Sequence, residues 1–94
     1  MTYELEFDPR ALKEWSKLGD TVKNQFKKKL AGVLANPRLE SARLHNLPDC
    51  YKIKLKASGY RLVYQVQDSV ITVFVIAVGK REKSAAYHDA NKRL

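Results

Sequence analysis

The sequence predicts a small single domain of the α+β class, with one strand, a helical hairpin, three further strands and a short C-terminal helix. Residues 2–7 alternate between apolar and polar side chains, and residues 9–35 place apolar side chains at helical spacing. Residues 51–78 hold three strand-length runs separated by turn residues. A chain of 94 residues has the size of one domain and shows no repeat or linker, so we expect residues 1–94 to fold as a unit.

The first strand and the first helix are marked by their boundary residues. Residues 2–7 have the alternation of a half-buried strand. Asp8 is placed to cap the helix that follows, and Pro9 suits the first helical position. The helical spacing predicts a buried apolar stripe formed by Leu12, Trp15 and Leu18.

A second helix is predicted to start after Gly19, with Asp20 as its N-cap, and to end near residue 35 at Asn36-Pro37. Its apolar stripe should pack on the rest of the domain. Its other face carries four lysines, Lys23, Lys27, Lys28 and Lys29. From the sequence alone, an ordinary solvated face explains these lysines about as well as a binding surface does.

Residues 38–49 show no clear period and are expected to form an ordered loop, held in place by Leu39, Leu44 and Leu47. Strands are expected over about residues 51–56, 60–67 and 70–78. The last run is apolar at odd and even positions alike, which predicts a central strand covered on both faces.

The C-terminal part is expected to form a short helix. Lys80 and the charged residues after it follow the central strand. Ser84 is then placed to cap a helix that carries Tyr87.

Lysines occupy every second position in the second predicted strand. Residues 50–56 read CYKIKLK, and GYRLVY follows after the turn. If the apolar faces match, Lys54 lies opposite Arg61 and Lys52 lies opposite Val63, since a slip of one residue would bury the cations. Like charges directly opposite each other are destabilising, so this cluster is expected to bind an anion such as a phosphate. The alternative for the two lysines is an ordinary solvated sheet face.

The charge balance also points to an anionic partner. The chain has 18 Lys+Arg against 10 Asp+Glu, a net charge of +8 at pH 7. This favours nucleic acid, an acidic protein or a membrane surface as partner.

Several other classes are disfavoured. Acidic residues near the N-terminus argue against a signal peptide, and no apolar run approaches a membrane span, so a cytoplasmic protein is expected. The single cysteine, Cys50, excludes an internal disulfide and predicts a buried or half-buried thiol. His45 and His88 lack metal-ligand spacing, and a glycine-rich phosphate loop is missing, so neither a metal nor a cofactor is predicted.

An ordinary ribonuclease is expected to use a histidine or glutamate as general base. The predicted cationic face offers lysines and arginines instead. Repulsion between them is expected to lower the pKa of a lysine towards neutrality, which would turn an ammonium group into a base.

Four segments of the chain are distinctive: RALKEW at 10–15, DCYKIKL at 49–55, SGYRLVYQV at 58–66 and VGKRE at 78–82. Together they resemble the RelE family, the messenger-RNA-cleaving toxins of bacterial toxin–antitoxin pairs. The similarity runs essentially from end to end, and two of the segments, GYRLVY and VGKRE, are specific to the wider RelE/ParE superfamily. The resemblance implies an antiparallel-rich four-stranded sheet packed on the helical hairpin, a fold that is RelE-like and microbial-ribonuclease-like.

The resemblance implies ribosome-dependent cleavage of messenger RNA in the A site. The 2′-hydroxyl of the message attacks the adjacent phosphate without a metal, leaving a 2′,3′-cyclic phosphate and a 5′-hydroxyl. By motif, Lys52 would be the general base, Lys54 would stabilise the transition state and Arg61 would position the phosphate. Arg81 would be the general acid, and Tyr87 would stack on or orient a base.

The resemblance also implies contacts with ribosomal RNA. The four helix lysines would face its phosphates, and the further candidates are Arg43, His45, Lys80 and Lys83. His45 stands where the cationic loop of the family commonly has an arginine, so the match is imperfect at this position.

The implied partners are the 70S ribosome and a RelB-like antitoxin whose acidic or amphipathic segment wraps the domain. In the family this contact displaces the C-terminal helix, and the complex represses its own operon, so operator DNA would be bound only through the antitoxin. Freed toxin would inhibit translation under stress. A membrane partner is not implied.

Three alternatives remain open at the level of sequence. A ParE-type toxin would poison DNA gyrase, but it lacks the clustered cations. A non-catalytic RNA-binding domain would display stacking aromatics, whereas Tyr51, Tyr60 and Tyr64 fall on the apolar face here. A ribosome-independent nuclease would cut naked RNA.

Overall fold

The computed structural model describes residues 2–80 and 85–94. In these ranges the elements, in chain order, are β1 Glu4–Phe7, α1 Pro9–Ser16, α2 Asp20–Ala35, β2 Cys50–Leu55, β3 Tyr60–Gln67, β4 Thr72–Lys80 and α3 Ala85–Arg93. The predicted α+β class and its order of elements are confirmed. None of the helices in the described ranges is long and apolar enough to span a membrane.

The four strands form one sheet in the order β1-β4-β3-β2. β1 pairs with β4 in parallel, and the β4-β3 and β3-β2 pairs are antiparallel. The central position predicted for β4 is confirmed, but its start is not at Val70. Val70 is 61% exposed in a short 3-10 turn, and Ile71 adopts a left-handed conformation with φ 49°, so the strand begins at Thr72.

The sheet has an apolar core on each face. The helical hairpin covers one side, here called the hairpin face, where the buried residues include Phe26, Leu30, Leu62, Tyr64 and Val75. Helix α3 and part of the 38–49 loop cover the other side, here called the α3 face, where the buried residues include Leu47, Cys50, Val63, Ile76 and Ala90. Side chains on neighbouring positions of β3 therefore enter different cores.

Three local expectations for the helices and the loop are wrong. Leu12 is 51% exposed, and Ala11 of the same helix is completely buried instead. Gly19, and not Asp20, is the N-cap of α2, with an extended backbone and no side-chain cap. Leu39 is 41% exposed, so it does not hold the loop as expected.

Arg38 holds the start of the loop instead. Its guanidinium donates hydrogen bonds to Asp68 at 2.7 Å, to Asp49 at 3.1 Å and to the hydroxyl of Tyr51 at 3.3 Å. The Tyr3 hydroxyl also donates to Asp68, and this bond, together with Arg38, lowers the pKa of that carboxyl. One side chain therefore ties the end of the hairpin to the start of β2 and to the β3-β4 turn.

β2 is an edge strand, and its outer backbone edge is partly covered. Arg43 forms an isolated antiparallel bridge with Tyr51 near the start of the strand. Towards the other end, Lys29 Nζ of α2 donates a hydrogen bond to the carbonyl of Lys54 at 3.2 Å. A lysine at a sheet edge discourages pairing with a second chain.

Asp8 confirms the predicted N-cap and is only 7% exposed. Its carboxylate accepts a hydrogen bond from the Arg10 backbone N–H at 2.8 Å and two from the Arg10 guanidinium. The side-chain bond from Arg10 is the main reason that the pKa of Asp8 lies below its usual value. The ionised carboxylate therefore stabilises the start of α1.

We expect Asp8→Ala to lower the free energy of unfolding by about 1 kcal/mol at pH 7, because an N-cap and an ion pair are lost. The pKa of Asp8 is lower in the folded protein than in the unfolded chain, where it is about 3.9. The carboxylate therefore contributes its full stabilisation above the unfolded pKa and loses it as the pH falls through the folded pKa. Urea denaturation from pH 7 to pH 2 should therefore show that the difference in unfolding free energy between Asp8→Ala and the wild type shrinks as the pH falls. Asp8→Asn, which keeps a capping oxygen, is the control and should lose less. A difference in unfolding free energy that stays constant down to pH 2 would contradict a stabilising role for the ionised Asp8 carboxylate.

Candidate functional site

The predicted pairing of β2 and β3 is confirmed residue by residue. Lys54 lies opposite Arg61, Lys52 lies opposite Val63, and Leu55 lies opposite Tyr60. Lys54 is exposed, whereas Lys52 and Arg61 are partly buried. The register thus places three cations on the α3 face, because Val63 of the same parity packs in the α3-face core.

The strand beside Arg61 contributes a glycine. In the β3-β4 pair, Arg61 lies opposite Gly79, so Lys54, Arg61 and Gly79 form a row across three strands. A glycine lets other groups approach the backbone closely. Lys54, Tyr60 and Arg61 also border a concavity of about 240 Å³ next to the Gly59 turn.

The sequence analysis did not identify Gly79, because the position of Gly79 beside Arg61 depends on the register of the β3-β4 pair. A shift in that register between Val63 and Tyr64 makes Ile76 an extra residue of β4. Alternation counted along β4 alone would therefore have given the wrong face for the residues beyond Ile76.

Helix α3 packs over the same face as the cations. Ala90 of α3 is completely buried against the core that contains Val63 and Ala77. The expected helix that carries Tyr87 is therefore confirmed in its backbone, and it lies on the same side of the sheet as the cations. Arg81 and Lys83, and the expected cap Ser84, lie outside the described residues.

Lys80 does not join the row. It lies opposite Tyr60 in the β3-β4 pair, and its Nζ is 5.5 Å from the centroid of the Tyr60 ring. Because Tyr60 packs against the hairpin-face core, Lys80 lies on the side of the sheet away from Lys54 and Arg61.

The two loop candidates lie near the start of β2. Arg43 pairs with Tyr51 through its backbone and with Glu40 through an exposed ion pair of 3.6 Å. His45 is exposed. Both side chains are exposed, and they lie at the end of β2 that is nearer to Lys52 than to Lys54.

The four α2 lysines do not form a single polar face, contrary to the expectation. Lys28 and Lys29 border the side of the helix next to β2, and Lys27 borders an apolar groove next to β1. Lys23 is partly buried. The positive charge of α2 is therefore spread around the helix.

A larger groove runs between α2 and β2, outside the cation row. It has a volume of about 810 Å³ and an apolar floor that includes Val33, Leu39 and Ile53. Lys52 and Lys54 border it as well, because β2 is an edge strand. The smaller concavity beside Arg61 remains the better place for phosphate chemistry, since Arg61 does not line the larger groove.

Cys50 is completely buried, which confirms the expected buried or half-buried thiol. Burial raises the pKa of this thiol to about 11. A thiol protonated at neutral pH is a poor nucleophile.

Comparison with known proteins places the chain in a family. A family model described as the ParE toxin of the type II toxin-antitoxin system matches residues 5–85. The chain is 63% identical to the mRNA interferase toxin RelE of Escherichia coli strain K12 over 94 residues, covering 100% of this chain and 99% of that protein. It is 51% identical to a putative RelE-like toxin protein of Escherichia coli, again covering 100% of this chain and 99% of that protein.

Solved structures agree with this placement. An arginine-to-alanine double mutant of Escherichia coli toxin RelE in the free state matches with a TM-score of 0.93 at 62% identity, covering 100% of this chain and 99% of that one. The toxin of the intact Escherichia coli RelBE toxin-antitoxin complex matches with a TM-score of 0.83 at 65% identity, covering 85% and 98%.

Proposed function

The chain belongs to the RelE family of toxins, and we propose that it is an endoribonuclease that cleaves messenger RNA in the A site of the ribosome. It would be the toxin of a type II toxin–antitoxin system in the cytoplasm and would inhibit translation. The observation that carries the proposal is the row of Lys54, Arg61 and Gly79 across three strands, with α3 packed over the same face. This row places two cations opposite each other, where both can contact one phosphate.

The proposed reaction needs no group from outside the message and this chain. The neutral amine of Lys52 accepts the proton of the 2′-hydroxyl, whose oxygen bonds to the adjacent phosphorus. Arg61 holds the phosphate, and Lys54 stabilises the extra negative charge of the transition state. The bond to the 5′-oxygen breaks, Arg81 supplies a proton to that oxygen, and Tyr87 orients a base. The products are a 2′,3′-cyclic phosphate and a 5′-hydroxyl.

A base role for Lys52 predicts that a positive charge at this position is not enough for cleavage. Arginine keeps the charge but does not lose its proton in proteins, so Lys52→Arg should lower the single-turnover rate on ribosomes by about 100-fold or more. Lys13→Arg on α1 is the matched control and should cleave at the wild-type rate. A Lys52→Arg rate near that of the wild type would assign the base role elsewhere.

Ribosome binding by α2 should depend strongly on salt. Each lysine that neutralises a phosphate contributes roughly 0.7–0.9 to the slope of log affinity against log salt. We expect the double variant Lys27→Gln, Lys28→Gln to reduce that slope by about 1.5. The matched control is Lys13→Gln with Lys17→Gln on α1, which removes the same charge. Equal losses in both variants would indicate a general charge effect rather than a contact made by α2.

The antitoxin is expected to be a RelB-like protein. A relative of this chain was solved in an intact RelBE toxin-antitoxin complex, and the present chain has the same fold over the matched region. The net charge of +8 suits an acidic wrapping segment. Repression of the operon, with operator DNA bound only through the antitoxin, is the corresponding regulatory proposal.

Gyrase poisoning is the second candidate function, favoured by the description of the matching family model as a ParE toxin. Identity of 63% to a protein named as an mRNA interferase favours cleavage instead. A supercoiling assay with purified gyrase distinguishes the two, since only a ParE-type toxin should block it.

The deciding experiment adds purified protein to ribosomes stalled with an empty A site on a defined message. New 5′ ends are mapped, with naked message and Arg81→Ala protein as controls. We expect cuts confined to the A-site codon, seen only with ribosomes and lost in the variant. Cuts on naked RNA would indicate a free ribonuclease. Binding without any cut would reduce the cationic face to a docking surface and make the gyrase assay decisive.

A further inference from the structure

The central strand extends past the end of its parallel neighbour. β1 ends where it pairs with Val75, and β4 continues to residue 80. Two side chains meet the backbone of β4 in this extension. Val78 N–H donates to Glu14 Oε1 of α1 at 3.2 Å, and the carbonyl of Ile76 accepts from Arg93 Nη1 of α3 at 2.8 Å. Buried backbone groups must find such partners, so both contacts have a structural reason.

The same two side chains also bind each other. Arg93 Nη1 and Nη2 lie 2.9 Å and 3.3 Å from the two carboxylate oxygens of Glu14. The side chain of Arg93 is only 11% exposed and that of Glu14 is 28% exposed. The hydrogen bond from Glu14 also raises the pKa of Arg93. A bidentate, largely buried pair of this kind fixes both distance and orientation.

The pair joins three elements at one point. Glu14 belongs to the hairpin, Arg93 belongs to the last turn of α3, and both hold the same stretch of β4. Ala90 anchors the inner surface of α3 in the sheet core. Arg93 therefore fixes the position of the helix at its C-terminal end.

We propose that Glu14 and Arg93 are positioning residues for cleavage, because they set the place of α3, the helix that carries Tyr87. The inference rests on the proposed function. Tyr87 is six residues before Arg93, or roughly 9 Å along the helix. A small tilt about the C-terminal end therefore moves Tyr87 by an ångström or more, and a misplacement of about 1 Å lowers catalysis by up to ~100-fold.

The test compares Glu14→Gln, Arg93→Gln and the double variant with the wild type. Glu14→Gln is nearly isosteric and removes only the charge and one acceptor. Asp89→Asn is the matched control, because Asp89 approaches Arg93 at 3.7 Å from within the same helix. Each variant is assayed below its own melting temperature for single-turnover cleavage at saturating ribosomes and, separately, for ribosome affinity.

We expect Glu14→Gln and Arg93→Gln each to lower the cleavage rate about 10-fold, with ribosome affinity within about two-fold of the wild type. The double variant should be no slower than the worse single variant, and Asp89→Asn should cleave normally. In a Tyr87→Ala background, Glu14→Gln should cause no further loss, since the residue that it positions is already gone.

Three outcomes overturn the inference. One is a normal rate in folded Glu14→Gln, and another is a loss of ribosome affinity in place of rate. The third is that Glu14→Gln lowers the cleavage rate as much in the Tyr87→Ala background as in the wild type, which would mean that the pair does not act through Tyr87. A wild type that fails to cut on ribosomes would overturn the proposed function as well, so the two failures are distinguishable.

Discussion

Replacing Lys54 with alanine is expected to lower the single-turnover rate of message cleavage by about 100- to 1,000-fold, the usual cost of removing one group that stabilises a developing negative charge. Lys54 is exposed, and it lies opposite Arg61 on the α3 face, next to the concavity that would take the phosphate. Its loss should leave the fold intact, because its side chain is exposed. The measurement is the rate at saturating ribosomes, together with the melting temperature.

Lys17→Ala is the matched control for this prediction. Lys17 is an exposed lysine at the end of α1, on the hairpin side of the sheet, and its removal changes the net charge equally. Its rate should stay near that of the wild type. A Lys54→Ala rate within a few-fold of the wild type would show that the charge at Lys54 does not act on the transition state.

Leu62→Ala is expected to cause the largest loss of stability, about 2–5 kcal/mol. Leu62 is completely buried in the middle of β3, between Ile53 of β2 and Val78 of β4. Its truncation leaves a cavity in the hairpin-face core that the sheet cannot easily close. For a domain of this size the melting temperature should fall by about 10 °C or more.

Leu12→Ala provides the same chemical change at an exposed position. Leu12 is 51% exposed on α1, and alanine has the higher helix propensity, so the change in stability should stay within about 0.5 kcal/mol. Urea denaturation of both variants gives the comparison. Similar losses in the two would contradict the burial pattern found for α1.

The sequence predicted the structure best where two independent patterns had to agree. The register of β2 and β3 followed from matching two apolar faces, since any slip would have buried Lys52 or Lys54. The end of α2 followed from Asn36-Pro37, and the cap at Asp8 followed from its position before Pro9.

Predictions failed where the pattern was short or the partner was distant. α1 has eight residues, too few to decide whether Ala11 or Leu12 faces inward, and the larger side chain was preferred. The row through Gly79 needed the β3-β4 register. The pair of Glu14 and Arg93 is separated by 79 positions, and no local signal marks such a contact.

The strand order has a consequence for synthesis. Because β4 is the last strand to be made and lies in the middle of the sheet, β1 has no strand to pair with until β4 appears, and β3 has only β2. The complete sheet therefore cannot form until β4 has been synthesised. A nascent chain that stops after residue 67 should therefore be digested readily by protease. The polypeptide would then be harmless to the ribosome that is making it, and its toxicity would begin only after the central strand had been completed.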